Sequence, residues 1–349
     1  MTCERSASLL FISQNLPTDV VSAASEVDEP KDHEYQNSAS AQRRDSVGDS
    51  VERSNSRYVV SVSRMLAVAF SADGTLISAE SDHGEIKSWD HRTGEVKEQV
   101  RAEQDDPSLV AVAADGKSFA EISEGALLLW NANSDAKRTV PLAAIGPVSA
   151  LAISSDGQTI ALAAVGEVSL VGPGGEVTKK LTKVEGVIDH LAFSPDGRSL
   201  AGANEGGGIA IWNVARGQVE KTLANVGGVT AMAFGPDGRS LAVATDDKGI
   251  GVWNLGSGSE QVHLQKHEDT VNALAFSPDG RLLASGGDDR MIVLWELAAG
   301  KSKQTLKGHD QTVTSLAFSP NGELLASGSG NASVVLWEVE KGRLNRILK

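Results

Sequence analysis

The stretch from His267 to Trp295 reads HEDTVNALAFSPDGRLLASGGDDRMIVLW and contains apolar runs separated by turn residues. The runs have the length of β-strands and cover Thr270 to Phe276, Leu282 to Ser285 and Met291 to Trp295. The first turn is SPDG, in which Pro278 fixes φ and Gly280 tolerates a positive φ, and the second turn is GGDD. This stretch therefore predicts a three-stranded β-meander.

The same unit recurs along the chain, and three columns of residues keep its period to within one residue. The residues that close the units follow one another at 41 or 42 positions and are Trp89, Trp130, Val171, Trp212, Trp253, Trp295 and Trp337. The turn residues are Asp73, Asp115, Asp156, Asp196, Asp237, Asp279 and Asn321. The residues that precede this turn are Phe70, Val112, Ile153, Phe193, Phe234, Phe276 and Phe318. Three columns with one period predict seven copies.

The last copy carries a family resemblance. Residues Gly308 to Trp337 read GHDQTVTSLAFSPNGELLASGSGNASVVLW, which is similar to the consensus of the WD40 family. The resemblance covers roughly residues 57 to 349 and is strongest in the last four repeats. It implies a fourth strand after each closing residue, for example over Ser302 to Leu306 and Arg343 to Leu348. It also implies seven blades around a central channel.

The composition of the strands supports the same fold class, an all-β, seven-bladed β-propeller of four-stranded antiparallel blades. Runs such as NALAF and LLAS do not alternate between polar and apolar residues, which suits strands buried on both faces. Gly or Pro recurs too often for helices. A β-sandwich is the alternative, but seven equal units favour closure into a ring. The predicted propeller domain covers residues 57–349.

Residues 1–56 form a predicted disordered, acidic, Ser-rich N-terminal tail, because they hold too few apolar residues to fold on their own. Leu9 to Ile12 is either a docking motif or an ordinary apolar patch, and Arg43 to Ser46 resembles a basic-directed kinase site. Tyr58 to Ser61 is a candidate strand ahead of the first blade. It competes with Arg343 to Leu348 for the place that closes the ring, and the sequence does not decide between them.

Composition excludes several classes of function. The formal net charge of −14 disfavours nucleic-acid binding. Cys3 is the only cysteine, so the sequence supports neither an internal disulfide nor a cysteine-based zinc site. The sequence has no apolar run of about 18 residues and no GxxxxGK motif, so we expect no membrane span and no nucleotide site. The histidine spacing gives no metal site, no cofactor is implied, and a cytoplasmic location is expected.

The resemblance also implies a structural tetrad of His, Ser, Asp and Trp in each blade. The sixth repeat matches throughout, with His267, Ser285, Asp289 and Trp295. The seventh offers His309, Ser327 and Trp337 but has Asn331 in place of the Asp, and the fifth keeps only Asp247 and Trp253. A Ser, a His and an Asp together could also form a hydrolase triad. Their places in the repeat favour the structural role.

Charge on the loops supports a binding hypothesis. Within the family, the turns between second and third strands share one face with the loops that lead into each blade, and here both groups are rich in carboxylates. The candidate partner-binding residues are Asp82, Glu124, Glu205, Asp246, Asp288 and Arg290. The opposite face is expected to be more basic, with Lys117, Arg198, Arg239 and Arg281. The acidic face would capture a basic protein or peptide; the alternative is ordinary solvated loops.

The functional hypothesis is a non-catalytic protein-interaction scaffold, a monomeric propeller that works within a complex. The alternatives are a propeller hydrolase or lyase, or the binding subunit of a larger catalytic complex. Val171 replaces a large aromatic residue in the third repeat. We therefore expect the weakest packing around blades two and three.

Overall fold

The computed structural model describes residues 65–74, 76–81, 85–101, 109–131, 137–142, 145–164, 166–224 and 226–348. Over these residues the chain forms seven sheets, each of four antiparallel strands in sequential order, which confirms the seven-bladed propeller. Residues 1–56 and the segment Tyr58 to Ser61 lie outside the described residues. Within the described residues no helix is long and apolar enough to cross a membrane.

The strands follow the blades in chain order. Blades 1 to 4 contain β1 (Met65–Phe70), β2 (Leu76–Ser81), β3 (Glu85–Asp90), β4 (Val96–Arg101); β5 (Leu109–Val112), β6 (Ser118–Ser123), β7 (Ala126–Asn131), β8 (Arg138–Pro141); β9 (Val148–Ile153), β10 (Ile160–Ala164), β11 (Glu167–Val171), β12 (Val177–Lys180); and β13 (Ile188–Phe193), β14 (Ser199–Asn204), β15 (Ile209–Asn213), β16 (Gln218–Leu223). Blades 5 to 7 contain β17 (Val229–Phe234), β18 (Ser240–Thr245), β19 (Gly249–Asn254), β20 (Ser259–Gln265); β21 (Val271–Phe276), β22 (Leu282–Gly287), β23 (Met291–Glu296), β24 (Lys301–Lys307); and β25 (Val313–Phe318), β26 (Leu324–Ser329), β27 (Val334–Glu338), β28 (Arg343–Leu348). A single 3₁₀ turn, Leu297–Ala299, lies between β23 and β24.

The turn between the first and second strands of each blade is built from its own polar residues. In blade 6 the Ser277 hydroxyl donates to Asp279 Oδ1 at 2.6 Å and accepts from the Leu282 amide at 2.9 Å. Gly280 has a φ of 70°, a conformation that glycine adopts without strain because it has no Cβ. The predicted SPDG turn is therefore a closed hydrogen-bonded unit, and its serine recurs as Ser71, Ser154, Ser194 and Ser319.

Neighbouring blades pack a flat, small-residue face against a bulky face. Because side chains alternate along a strand, one face of blade 5 presents Ala233, Ala242 and other small residues, and these pack against Phe276 and Trp295 of blade 6. The residue before each first-strand Phe, Val or Ile is always alanine: Ala69, Ala111, Ala152, Ala192, Ala233, Ala275 and Ala317. All seven are buried. Each alanine face therefore accepts the bulky face of the following blade.

The exception at Val171 is filled by its neighbours. Its side chain is 1 % exposed and belongs to a cluster with Leu129 of blade 2 and with Ile153 and Ile160 of its own blade. Branched aliphatic residues thus occupy the volume that a tryptophan takes in other blades. The relative packing strength of blades 2 and 3 stays a prediction.

Among the strands that the structure describes, none is shared between the first and last blades of the ring. β28 completes blade 7, and residues of blades 7, 1 and 2 form one apolar cluster. Arg346 on β28 donates from Nη1 to the Thr93 carbonyl at 2.8 Å and from Nη2 to the Arg92 carbonyl at 3.0 Å, in the turn between β3 and β4. Among the described strands, the C-terminal segment Arg343–Leu348 therefore holds the place for which the sequence offered two candidates.

Arg346 belongs to a column of outer-strand residues that we call the clamp positions. Each pairs with the residue before the closing residue of its blade, and the column is Glu98, Arg138, Lys179, Lys221, Val262, Gln304 and Arg346. Arg138 donates to the Gly174 carbonyl at 2.6 Å, Lys179 to Val214 at 3.3 Å, and Lys221 to Gly256 at 2.7 Å. In each case the acceptor lies in the turn after the third strand of the following blade, so the column joins consecutive blades.

We expect Arg346→Met to lower the free energy of unfolding by about 1 to 2 kcal/mol, because two charge-assisted hydrogen bonds across the closing junction are lost from a half-exposed site. Urea unfolding followed by tryptophan fluorescence measures this. The control is Arg343→Met on the same strand, since Arg343 bonds only Glu338 within its own blade. An equal loss in the two variants would contradict a role of Arg346 in closure.

Candidate functional site

The tetrad of blade 6 is assembled as a continuous hydrogen-bonded chain. His267 Nδ1 lies 2.7 Å from Asp289 Oδ2, and His267 Nε2 lies 2.7 Å from Ser285 Oγ. Trp295 Nε1 donates to the same hydroxyl at 2.7 Å. The histidine side chain is 0 % exposed, so no substrate can approach it in this arrangement. The geometry fixes a loop, a strand and a turn to one another.

Blade 7 assembles three members of the tetrad and redirects the fourth. His309 Nε2 lies 2.6 Å from Ser327 Oγ, and Trp337 Nε1 donates to that hydroxyl at 2.8 Å. Asn331 instead donates to Asp310 Oδ1 at 2.7 Å. Burial lowers the pKa of His309 to about 4, with the Asp310 charge opposing that shift. His309 is therefore neutral at physiological pH.

Blade 5 keeps its Asp and Trp but separates them. Asp247 accepts from the Thr245 hydroxyl at 2.6 Å and from the Gly249 amide at 2.9 Å, and these hydrogen bonds lower its pKa. The buried Nε1 of Trp253 has no hydrogen-bond partner. The Asp of this pair thus serves its own turn and joins no tetrad.

Blade 2 carries a glutamate where blades 6 and 7 carry the tetrad serine. Glu121 lies two residues after Phe119, which pairs with Trp130, just as Ser285 follows Leu283. Its side chain is fully buried, and neither carboxyl oxygen has a hydrogen-bond partner. Burial raises its pKa to about 7, although the charge of Lys137 opposes the shift. Glu121 is not among the residues predicted from the sequence, although it stands in the repeat position that holds Ser285 and Ser327 in blades 6 and 7.

We call the surface formed by the turns between second and third strands, with the loops that lead into each blade, the upper face. Glu205, Asp246 and Asp288 occupy the same turn position in blades 4, 5 and 6. Their amides donate to the carbonyls of Val187 at 3.3 Å, Gly228 at 2.8 Å and Thr270 at 2.9 Å. The repeated bond sets the three acidic residues at equivalent points around the ring.

These carboxylates differ in how free they are to bind a partner. Glu205 and Asp246 are exposed. Asp288 is half-buried, and its Oδ1 accepts from Asn272 Nδ2 at 2.7 Å. Glu124 is exposed in blade 2, three positions after Glu121 along the chain, and is not part of the three-blade arc. Asp82 lies outside the described residues.

The basic residues of these turns reach across to the next blade. Lys248 and Arg290 hold positive φ values of 69° and 63°, which non-glycine residues rarely adopt. Lys248 Nζ donates to the Glu268 carbonyl at 2.7 Å, and Arg290 Nη1 lies 3.5 Å from the Asp310 carbonyl. Arg290, a candidate partner-binding residue, thus contacts a neighbouring loop, and its exposed guanidinium retains further donors.

The opposite, lower face carries the SPDG-type turns and the turns after the closing residues. Two ion pairs lie on this face: Arg281 is 3.8 Å from Asp279, and Lys303 is 3.5 Å from Glu340. Between blades 6 and 7 these residues line a cleft of about 900 Å³. Hydrogen bonds from Lys341 and Arg343 lower the pKa of Glu338, on the rim of this cleft, to about 2. Acidic and basic residues therefore lie side by side around this cleft. The more basic character of the whole lower face stays a prediction.

A comparison with known protein families finds matches in part of the chain. The family model described as WD domain, G-beta repeat matches residues 217–254, 258–296 and 300–338. Each matched segment begins near the outer strand of one blade and ends at the third strand of the next. One sequence repeat therefore spans two blades. No curated protein matches the chain.

Among the described residues, no group of three or more His, Cys, Asp or Glu residues could hold a metal ion.

Ser285→Ala should lower the free energy of unfolding by about 2 to 4 kcal/mol, because it leaves buried His267 and Trp295 without their shared partner. Urea unfolding of the purified chain measures the change. Ser257→Ala, in an exposed turn, is the matched control and should stay within about 0.5 kcal/mol. If Ser285→Ala lowers the free energy of unfolding no more than Ser257→Ala does, the tetrad does not contribute measurably to stability.

Because the folded chain holds His309 in its neutral form, we expect the free energy of unfolding to decrease in acid. Its pKa is lowered from 6.5 to about 4 in the folded chain, so the unfolded chain binds the proton first as the pH falls. The contribution of neutral His309 to the free energy of unfolding is at most about 3 kcal/mol. This contribution is complete above pH 6.5 and is lost as the pH falls from 6.5 to 4. Urea unfolding at pH 7 and pH 4.5 should show a smaller pH effect in His309→Gln. The exposed His263→Gln should keep the wild-type effect, and identical effects in both variants would refute this assignment.

Proposed function

Because this chain is a WD40-repeat protein, a family whose propellers commonly act as protein-interaction scaffolds, we propose that it is a non-catalytic scaffold for a basic protein or peptide. The binding surface in this proposal is the upper face of blades 4 to 6. The chain would work in the cytoplasm as one propeller within a larger complex. Family membership carries the scaffold role, and the arc of acidic turns carries the choice of surface.

The arc formed by Glu205, Asp246 and Asp288 is the observation that supports this surface. Each residue is held by the same backbone hydrogen bond to a loop carbonyl in its own blade. The spacing of the carboxylates therefore follows the spacing of the blades and needs no rearrangement on binding. A surface that is ordered before binding loses less conformational entropy when a partner arrives.

The chemistry of this arc favours lysine or arginine on the partner. The exposed carboxylates of Glu205 and Asp246 can accept charge-assisted hydrogen bonds. Carboxylates at the rim of an interface act mainly on the association rate and on partner choice. Screening over about 8 Å at physiological salt makes such binding sensitive to ionic strength.

A double charge reversal tests the surface. Glu205→Lys/Asp246→Lys replaces the two exposed carboxylates and spares Asp288, whose bond to Asn272 stabilises the turn. We expect a partner captured by the wild-type chain from native lysate and identified by mass spectrometry to bind this variant at least tenfold more weakly. With the purified partner, the salt dependence of binding should also become shallower, since fewer opposite charges meet.

The matched control carries the same charge change on the lower face, as Glu296→Lys/Glu340→Lys, both of which are exposed. It should bind the partner as the wild type does. Equal binding by all three chains would remove the upper face from the proposal, and loss of binding only in the control would move the surface to the lower face.

A further inference from the structure

We propose that the ring opens by separation of blades 1 and 2, in a step controlled by the charge of Glu121, and not at the junction of the first and last blades. Chain connectivity alone would favour the junction of blades 7 and 1, since none of the described strands is shared between those two blades. Two features of the seam between blades 1 and 2 reverse that expectation.

The first feature is a set of buried polar groups with no partner. Glu121 and Ser123 lie on the same side of β6 as Phe119, the side that packs against blade 1. Both carboxyl oxygens of Glu121 and the hydroxyl of Ser123 lack hydrogen bonds. On β3, alternation places Ser88 on the facing side of blade 1, with Ile86, and its buried hydroxyl is also unpartnered. Buried polar groups without partners weaken the closed seam.

The second feature is the clamp position. The outer strand of blade 1 has Glu98 there, where blades 2, 3, 4 and 7 have Arg or Lys. A glutamate has no N–H to donate to the carbonyls of the next blade. Blade 5 also lacks a donor, with Val262, but its seam holds the Lys248 bond to the Glu268 carbonyl. The clamp position of blade 1 is therefore occupied by a residue type without an N–H donor, and the same seam buries the carboxyl group of Glu121.

The junction of blades 7 and 1 is better secured. Arg346 makes two hydrogen bonds across it to backbone carbonyls. Buried unpartnered atoms occur there too, namely Trp89 Nε1, Ser315 Oγ and Arg346 Nε. The first two belong to neutral groups, and the Arg346 guanidinium keeps two hydrogen bonds through Nη1 and Nη2. A neutral group costs less to bury than a carboxylate.

The charge of Glu121 depends on pH within the physiological range, because burial raises its pKa to about 7. The strands β1, β5 and β7 bring no charged residue to it. Alternation places Asp90, at the end of β3, on the side of blade 1 that faces Glu121, and Lys137 is the opposing cation. The side chain of Glu80, on β2, lies outside the described part of the chain. Glu103, Asp105 and Asp106, before β5, lie outside the described residues. A rising pH therefore charges the seam and favours opening.

The alanine column supplies matched reporters. In a Cys3→Ser background, Ala69→Cys reports the seam between blades 1 and 2, Ala275→Cys that between blades 6 and 7, and Ala317→Cys the junction of blades 7 and 1. All three alanines are at most 6 % exposed. Thiol labelling rates of the full chain, normalised to a free cysteine peptide at each pH, should be at least tenfold faster for the reporter at position 69.

Charge control is tested in the same assay. Opening requires Glu121 to shift from a pKa of about 7 towards its ordinary 4.5, so the normalised rate at position 69 should rise about tenfold from pH 6 to pH 8. Glu121→Gln should abolish this rise, and Glu121→Ser should slow labelling at both pH values. Glu98→Arg should slow labelling at position 69 and leave position 317 unchanged.

Three outcomes would overturn the proposal. Labelling at position 317 that is as fast as at position 69 would place opening at the chain junction. A pH response that persists in Glu121→Gln and Glu121→Ser would assign control to another group. Equal, slow labelling at all three positions would show a ring that does not open.

Discussion

The fit of an alanine face against a bulky face is the contact on which this ring depends. Each blade presents small residues on one side and Phe, Trp or branched aliphatic residues on the other, so that neighbouring sheets approach closely and exclude water. This contact depends on the complementary sizes of the side chains, and apolar packing of this kind is not directional. Polar bonds between blades then fix the register that apolar packing leaves open.

Those polar bonds come from two sources with different distributions. The tetrads stabilise individual blades from within, and among the described residues the complete form occurs in blade 6. The clamp positions join successive blades from outside, with Arg138, Lys179, Lys221 and Arg346 as cationic donors. Because each sequence repeat spans two blades, the chain itself also ties every outer strand to the next blade. Stability is therefore shared unevenly around the ring.

The proposed binding surface and the proposed opening seam lie in different parts of the ring. Blades 4 to 6 carry repeated turn geometry and an arc of acidic residues, which suits a rigid binding surface. Blades 1 and 2 bury Glu121 without a partner, which suits a seam that responds to charge. In the two proposals, the partner-binding surface and the opening seam therefore lie on different blades.

The sequence by itself determined the fold and the repeat number, because a repeated unit specifies each core and turn position seven times. The resemblance to the WD40 family, applied to the positions of the sixth repeat, implied the grouping of His267, Ser285 and Asp289. Tertiary structure decided what depends on neighbouring blades. Asn331 donates a hydrogen bond to Asp310, Asn272 donates one to Asp288, and Arg346 donates one to Thr93 of the first blade. These contacts join residues that are distant in sequence, so no local pattern predicts them. The burial of Glu121 likewise follows from the blade that covers it.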